Sequence, residues 1–187
     1  LVGAWGLTMD RDDLEGDTSA WGLKIDYPND LWDVAFTYRR IGDDFDPSLG
    51  FVPRRAIKAY RGGGAFMPRP ESSWVRQLFF EFRPELVTDL QNQWESYRVF
   101  TAPLNVQLES GDRFEYNFVP EGERLSAPFE IADGVVIPPG SYDWIRQRLE
   151  WETAAKRKLK GQLTWWFGGF YGGTLDEIEI EGSWTPS

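Results

Sequence analysis

Among side chains that do chemistry, this sequence offers carboxylates in abundance and little else. It has 30 Asp and Glu, 20 Lys and Arg, no His and no Cys. Thiol nucleophiles, imidazole bases, disulfides and the usual zinc ligands are therefore excluded together. Catalysis would have to run on Asp, Glu, Lys, Ser or Tyr. A glycosidase needs two carboxyl groups about 5–9.5 Å apart, one of them with a raised pKa, and no acid here sits in a recognisable catalytic motif. Asp43, Asp44 and Asp46 make an acidic loop, but the full calcium-loop spacing, with its central glycine and distal bidentate Glu, is missing. Gly62-Gly63-Gly64 lacks the strand-loop-helix setting of a phosphate cradle. Phe45, Phe51, Phe170 and Tyr171 fall in loops, where rings stack on sugars or pack on their own loop. The expectation is no catalytic residue, no metal and no cofactor, and no glycosidase, esterase or phosphatase activity.

What the charged residues share is a period. In the run from Leu31 to Arg40, Trp32, Val34, Phe36 and Tyr38 fall on one side and Asp33, Ala35, Thr37 and Arg39 on the other, the mark of a strand with one apolar and one wet face. The apolar set continues as Trp21, Leu23, Ile25 and Tyr27, then Leu78, Phe80 and Phe82, then Phe100, Ala102, Leu104, Val106 and Leu108. Phe114, Tyr116 and Phe118, then Leu163, Trp165 and Phe167, and finally Ile178, Ile180 and Trp184 complete it. Charges dominate the opposite parity. In a barrel that face lines a lumen, where opposite charges and water satisfy one another, and the lining candidates are Lys24, Asp33, Arg39, Glu81, Arg148, Glu150, Lys160 and Glu179. Lys158 and Lys160 precede Glu177, Glu179 and Glu181 and are expected to stand beside them in the last hairpin. Such pairs contribute ~0.2–1 kcal/mol each, so they specify register more than stability.

These faces belong to about ten strands, over 1–10, 19–27, 31–40, 55–66, 74–83, 94–108, 112–119, 142–154, 158–167 and 175–184. Short turns at Pro28–Asp30, Pro68–Ser73, Ser110-Gly111 and Ala154–Arg157 alternate with longer loops at Arg11–Ser19, Ile41–Arg54, Pro84–Gln93, Pro120–Ser141 and Gly168–Thr174. Within the fourth strand, Arg61-Gly62-Gly63-Gly64 predicts a bend or bulge. Loops sorted this way predict an all-β, antiparallel up-and-down meander: an outer-membrane-type β-barrel or an open part of one, in a single domain over 1–187. A Greek-key sandwich does not sort its loops so regularly.

The rings add a membrane signature. The chain has 10 Trp, 7 Tyr and 13 Phe, and many stand near strand ends. Tyr27, Trp32, Trp74 and Trp184 lie beside the short turns, and Trp21, Tyr38, Trp94 and Trp165 beside the long loops, as two belts of amphipathic rings at a membrane boundary would. No window approaches the roughly 20 apolar residues of a spanning helix. The mean hydropathy of -0.47 does not argue against spanning strands, whose apolar residues alternate with polar ones. A net charge of -10 argues against nucleic acid as a partner. Leu1-Val2-Gly3-Ala4-Trp5 reads as a strand in mid-course and no signal peptide is apparent. The segment Ser183 to Ser187 lacks a terminal aromatic, so both ends read as cut.

Gly42-Asp43-Asp44-Phe45-Asp46-Pro47 with Gly50-Phe51-Val52-Pro53-Arg54, Ala127-Pro128-Phe129-Glu130-Ile131, and the run from Gly134 to Tyr142 resemble the domain-of-unknown-function 5916 family. The resemblance covers most of the chain. It implies a bacterial envelope protein in which an N-terminal carbohydrate-binding-like β-sandwich, with no counterpart here, precedes a C-terminal outer-membrane β-barrel. It also implies a lipid bilayer or larger membrane assembly as partner, and carbohydrate as the theme. The resulting expectation is a non-enzymatic barrel segment in the bacterial outer membrane that passes or gates small solutes. Two other readings are an accessory subunit built from a truncated barrel sheet, and the membrane module of a glycan-active hydrolase.

Overall fold

The computed structural model describes residues 1–10, 14–47 and 50–185. Parts of the predicted Arg11–Ser19 and Ile41–Arg54 loops, and Pro186 and Ser187 at the far end, lie outside the described residues. The strands are β1 (Val2–Thr8), β2 (Ser19–Tyr27), β3 (Trp32–Ile41), β4 (Ile57–Phe66), β5 (Val75–Leu78), β6 (Phe80–Asp89) and β7 (Trp94–Leu108). They continue as β8 (Arg113–Leu125), β9 (Phe129–Ala132), β10 (Val135–Ile137), β11 (Gly140–Glu152), β12 (Leu159–Phe170), β13 (Gly173–Thr174) and β14 (Glu177–Trp184). The fold is all β and antiparallel, as the period-two runs predict.

Twelve strands form one sheet in the order β1-β2-β3-β4-β6-β7-β8-β11-β12-β13, with β14 also on β12 and β5 on β7, while β9 and β10 make a separate hairpin. The path is an up-and-down meander. Its ends are β1, which pairs with β2, and β14, which pairs with β12. Among the described residues the ladder does not return from β14 to β1.

Register puts the two predicted residue sets on opposite faces, Phe100 and Ala102 excepted. Trp32 stands opposite Phe66, and Phe66 opposite Phe80. Likewise Val106 faces Phe114, and Leu163 and Trp165 face Ile180 and Ile178. Asp33, Ala65 and Glu81 share the other face, as do Arg148, Asn117, Glu150 and Glu115.

Three prolines explain where the predicted boundaries and faces differ. Each sits inside a strand at a point where ladder pairing lapses, the place a residue without an N–H is tolerated. Residues 84–93 were expected to be loop, yet β6 continues through Pro84 to Asp89. Opposite Pro84, the β4–β6 ladder is interrupted between Arg61↔Glu85 and Gly64↔Phe82. There Gly63, at φ 108°, approaches so closely that a Cβ would fall 1.9 Å from the Phe82 carbonyl oxygen. The glycines thus permit close approach within a continuous β4. A second lapse, between Thr101↔Phe118 and Leu104↔Tyr116, is a bulge at Ala102-Pro103. It reverses parity, so Phe100 and Ala102 stand with Arg83 and Glu81 rather than with Leu104. Pro120 likewise falls where the β7–β8 pairing skips from Arg98↔Glu121 to Thr101↔Phe118, which lets β8 run on to Leu125 and leaves the β9–β10 hairpin within the predicted 120–141 loop.

Burial inverts the order found in water-soluble proteins. Asn105, Glu115, Asn117, Gln77, Arg146 and Thr164 are buried, whereas Trp21, Trp32, Phe82, Ile178, Ile180 and Trp184 are exposed. We call the polar face inner and the apolar face outer. Among the described residues the inner face carries an apolar cluster at the loop end of β2 to β4, where Phe45 from the β3–β4 loop packs with Ala20, Ile41, Ile57 and Ala59. That loop is tied down by carboxylates: Asp43 accepts from the Asp17 N–H at 2.8 Å and Asp44 from the Gly16 N–H at 2.7 Å.

Candidate functional site

The polar cluster grows from β8, where alternation puts Arg113, Glu115 and Asn117 on the inner face among the outward rings of Phe114, Tyr116 and Phe118. Flanking strands add Asn105 from β7 and Arg148 and Glu150 from β11. Glu115 is the hub. Its Oε2 accepts from Asn105 Nδ2 at 3.0 Å and from the Arg113 guanidinium at 3.1 Å. Its Oε1 accepts from the Arg148 guanidinium and from Asn117 Nδ2, both at 2.8 Å. Arg113 Nε also donates to Asn105 Oδ1 at 2.9 Å, and Arg148 Nε to Asn117 Oδ1 at 2.6 Å. A second arm of Arg148 reaches Glu150 at 3.1 Å. The Trp166 ring faces the Arg148 guanidinium at 5.4 Å, and the Phe79 ring faces that of Arg113 at 5.5 Å. Two acids thus balance two guanidiniums, the form in which burying charge is least costly.

Next to this cluster, about 480 Å³ of open space is lined by Glu121, Arg146, Thr164, Trp166, Glu177 and Glu179. Arg146 donates to the Leu175 carbonyl and ion-pairs with Glu177 at 2.6 Å. Glu121 accepts from Arg98 at 2.8 Å and from the Trp144 indole at 3.0 Å. At the loop end, Tyr171 donates to Glu123 at 2.5 Å. Burial first, then that hydrogen bond to a carboxylate, raises the Tyr171 hydroxyl above its ordinary range. At the short-turn end, Asp112 takes hydrogen bonds from Arg157, Ala154 N–H and Ser110, and these, the guanidinium first, hold its carboxyl well below the usual range.

No protein-family model, curated protein or solved structure matches the chain.

All eight lining candidates stand on the inner face, but the fold gathers few of them. Arg148 and Glu150 join the Glu115 cluster. Lys24 pairs with Asp26 at 2.9 Å and Glu81 with Arg83 at 2.8 Å. Asp33 lies opposite Ala65, Glu179 opposite Thr164, and Arg39 between Gly22 and Ala59. The expected alignment of Lys160 with the β14 acids does not occur: the register sets Lys160 opposite Ser183, and Glu177 turns instead to Arg146. The four loop rings divide as well. Phe45 is buried and Phe51 exposed, while Phe170 and Tyr171 pack on Trp144 at 5.9 and 4.8 Å.

Of the belt candidates, Tyr27, Trp32 and Trp184 stand on the outer face at the short-turn end, with Trp74 exposed just ahead of β5. Trp21, Tyr38, Trp94 and Trp165 stand near the opposite end. Trp21 and Tyr38 touch at 5.0 Å, Trp94 pairs with Thr88, and the Trp165 indole donates to Asp176 at 3.1 Å.

Glu115 and Arg113 fall on the parity where charges dominate but are not among the eight lining candidates, and Asn117 carries no charge to mark it. The available signal was a run of alternate polar residues in a strand otherwise made of aromatic rings. Both Glu115 oxygens are occupied by donors, and Glu150, its cross-strand neighbour, is paired to Arg148. The arrangement provides a wettable wall of screened charge.

Proposed function

We propose that this chain forms wall of an outer-membrane β-barrel through which small solutes pass, without catalysis. The observation that carries the reading is the inversion of burial: rings and branched aliphatics outside, carboxylates, guanidiniums and amides inside. In water each exposed Ile or Trp leaves apolar area unburied, at about 25 cal/mol per Å². In hydrocarbon that cost vanishes, and the inner groups satisfy one another around water. The ring positions at both strand ends support the same placement. Carbohydrate as the solute class follows from the family resemblance.

The test is refolding into lipid vesicles followed by denaturant titration. Val106→Arg, on the outer face, is expected to cost ~2–4 kcal/mol, with Gln107→Arg, one residue on and facing inward, nearly silent. Equal effects would refute membrane insertion. Discrete conductance steps in planar bilayers are the companion expectation.

A second reading is favoured by one observation. Every residue of β1 and of β14 is exposed, so an accessory subunit docked by its sheet edges onto a larger assembly also fits. Purification from native membranes as a stoichiometric complex, without conductance by the chain alone, would select it.

A further inference from the structure

We infer that Arg39 and Trp5 form a binding site for a small oxyanion, a carboxylate or a phosphate, on the inner face. The inference rests on the solute-path reading and adds that the solute carries an anionic oxygen group, as an acidic or phosphorylated sugar does.

The inner-face arginines are otherwise committed. Arg61 pairs with Glu85, Arg83 with Glu81, Arg98 with Glu121, Arg146 with Glu177, and Arg113 and Arg148 with Glu115. Arg39 differs. Among the described residues no carboxylate pairs with it, and its Nε is buried with no hydrogen-bond partner. Its cross-strand neighbours are Gly22 and Ala59, neither of which has a side-chain acceptor. A guanidinium partly withdrawn from water and left without an acceptor is costly to hold, and an oxyanion is the partner that its planar fork of donors fits.

The adjoining strand supplies a second donor. β1 reverses the pattern of the rest of the sheet, with Val2, Ala4 and Gly6 outward and Trp5 and Leu7 inward. Trp5 stands opposite Gly22, which in turn stands opposite Arg39. The indole lies over the glycine, since a Cβ at Gly22 would come within 2.8 Å of Trp5 Nε1. Any side chain at position 22 would displace the ring. The indole N–H and the guanidinium therefore share one cross-strand row on either side of a residue with no side chain.

The test uses the whole chain, labelled with nitrogen-15 and refolded in detergent micelles, with the arginine Nε–H and indole Nε1–H signals followed by NMR. Arg39→Lys and Trp5→Phe assign the two resonances, and circular dichroism confirms that each variant keeps its strand content. Titration with sodium acetate and, separately, sodium phosphate is expected to move the Arg39 and Trp5 signals along one saturable curve while those of Arg113 and Arg148 stay still. The tighter of the two anions identifies the class. Arg39→Gln is expected to weaken the response at Trp5 about tenfold or more, and Gly22→Ala to weaken it at Arg39. No movement, or equal movement of all arginines as in sodium chloride, overturns the site. Saturable binding in a chain that gives no conductance would leave the site standing and remove the solute-path reading alone.

Discussion

Two regions of the inner face solve the same problem by opposite chemistry. At the loop end of β2 to β4 the strands present the apolar Ala20, Ile41, Ile57 and Ala59, and Phe45 from a loop packs on them. Across β7, β8 and β11 the strands present Asn105, Glu115, Asn117 and Arg148, which hydrogen-bond to one another. The contrast teaches that side-chain polarity on the inner face decides how it is filled. Where residues are apolar, the interior closes by hydrophobic burial, which is tolerant of geometry. Where they are polar, it closes only if every donor finds an acceptor.

The largest expected effect comes from breaking the polar side of this contrast. Glu115→Leu would leave the Arg113 and Arg148 guanidiniums and two amide groups without their shared acceptor. The expected loss is about 3–5 kcal/mol of unfolding free energy in denaturant titration. Replacing Arg113, Glu115, Arg148 and Glu150 together by apolar residues of similar volume should recover most of it, because the desolvation of all four charges disappears with their attraction. If the quadruple variant is no more stable than Glu115→Leu alone, charge pairing is not what closes this region.

Phe45→Ala probes the apolar side and should cost about 3 kcal/mol, from lost burial and the cavity left over Ala20 and Ala59. Strand β6 lies between the two regions, so combining Phe45→Ala with Glu115→Leu should give additive losses within about 0.5 kcal/mol. Marked non-additivity would mean that the two fillings are coupled, and the comparison would have to be redrawn as one core.

Which parts of this were legible in the sequence follows from the range of the interaction concerned. The faces of β3 and β14 could be read because alternation is local: Trp32, Val34 and Phe36, or Ile178 and Ile180, declare their side by their neighbours alone. Pro84 and Pro120 misled, because a proline reads as a strand breaker until one knows that the partner strand also skips a bond there, whereas Pro103 left the bounds of β7 as predicted and reversed the parity read across it. Glu115 as a hub was out of reach for a further reason. Its contact with Asn105 depends on the bulge at Ala102-Pro103, which shifts the β7–β8 register by one residue. The isolation of Arg39 is equally non-local, since it is defined by what β2 and β4 fail to place beside it.

The smallest expected effect is a dependence on pH that separates the two regions without touching either centre. Asp112 sits in the β7–β8 turn, with Arg157 paired to it at 2.5 Å from the β11–β12 turn. Because its folded pKa is depressed, the carboxylate's contribution is fully present above the ordinary carboxylate pKa. It is lost as pH falls through that range toward the folded value. Unfolding midpoints measured from pH 7 down to the acid limit should therefore decline for the native chain. Asp112→Asn should start lower at pH 7 and decline less. Phe45→Ala, which removes no titrating group, should decline with the native slope from a lower start. If Asp112→Asn leaves the slope unchanged, the Asp112–Arg157 pair that joins the two turns is not the source of the acid sensitivity.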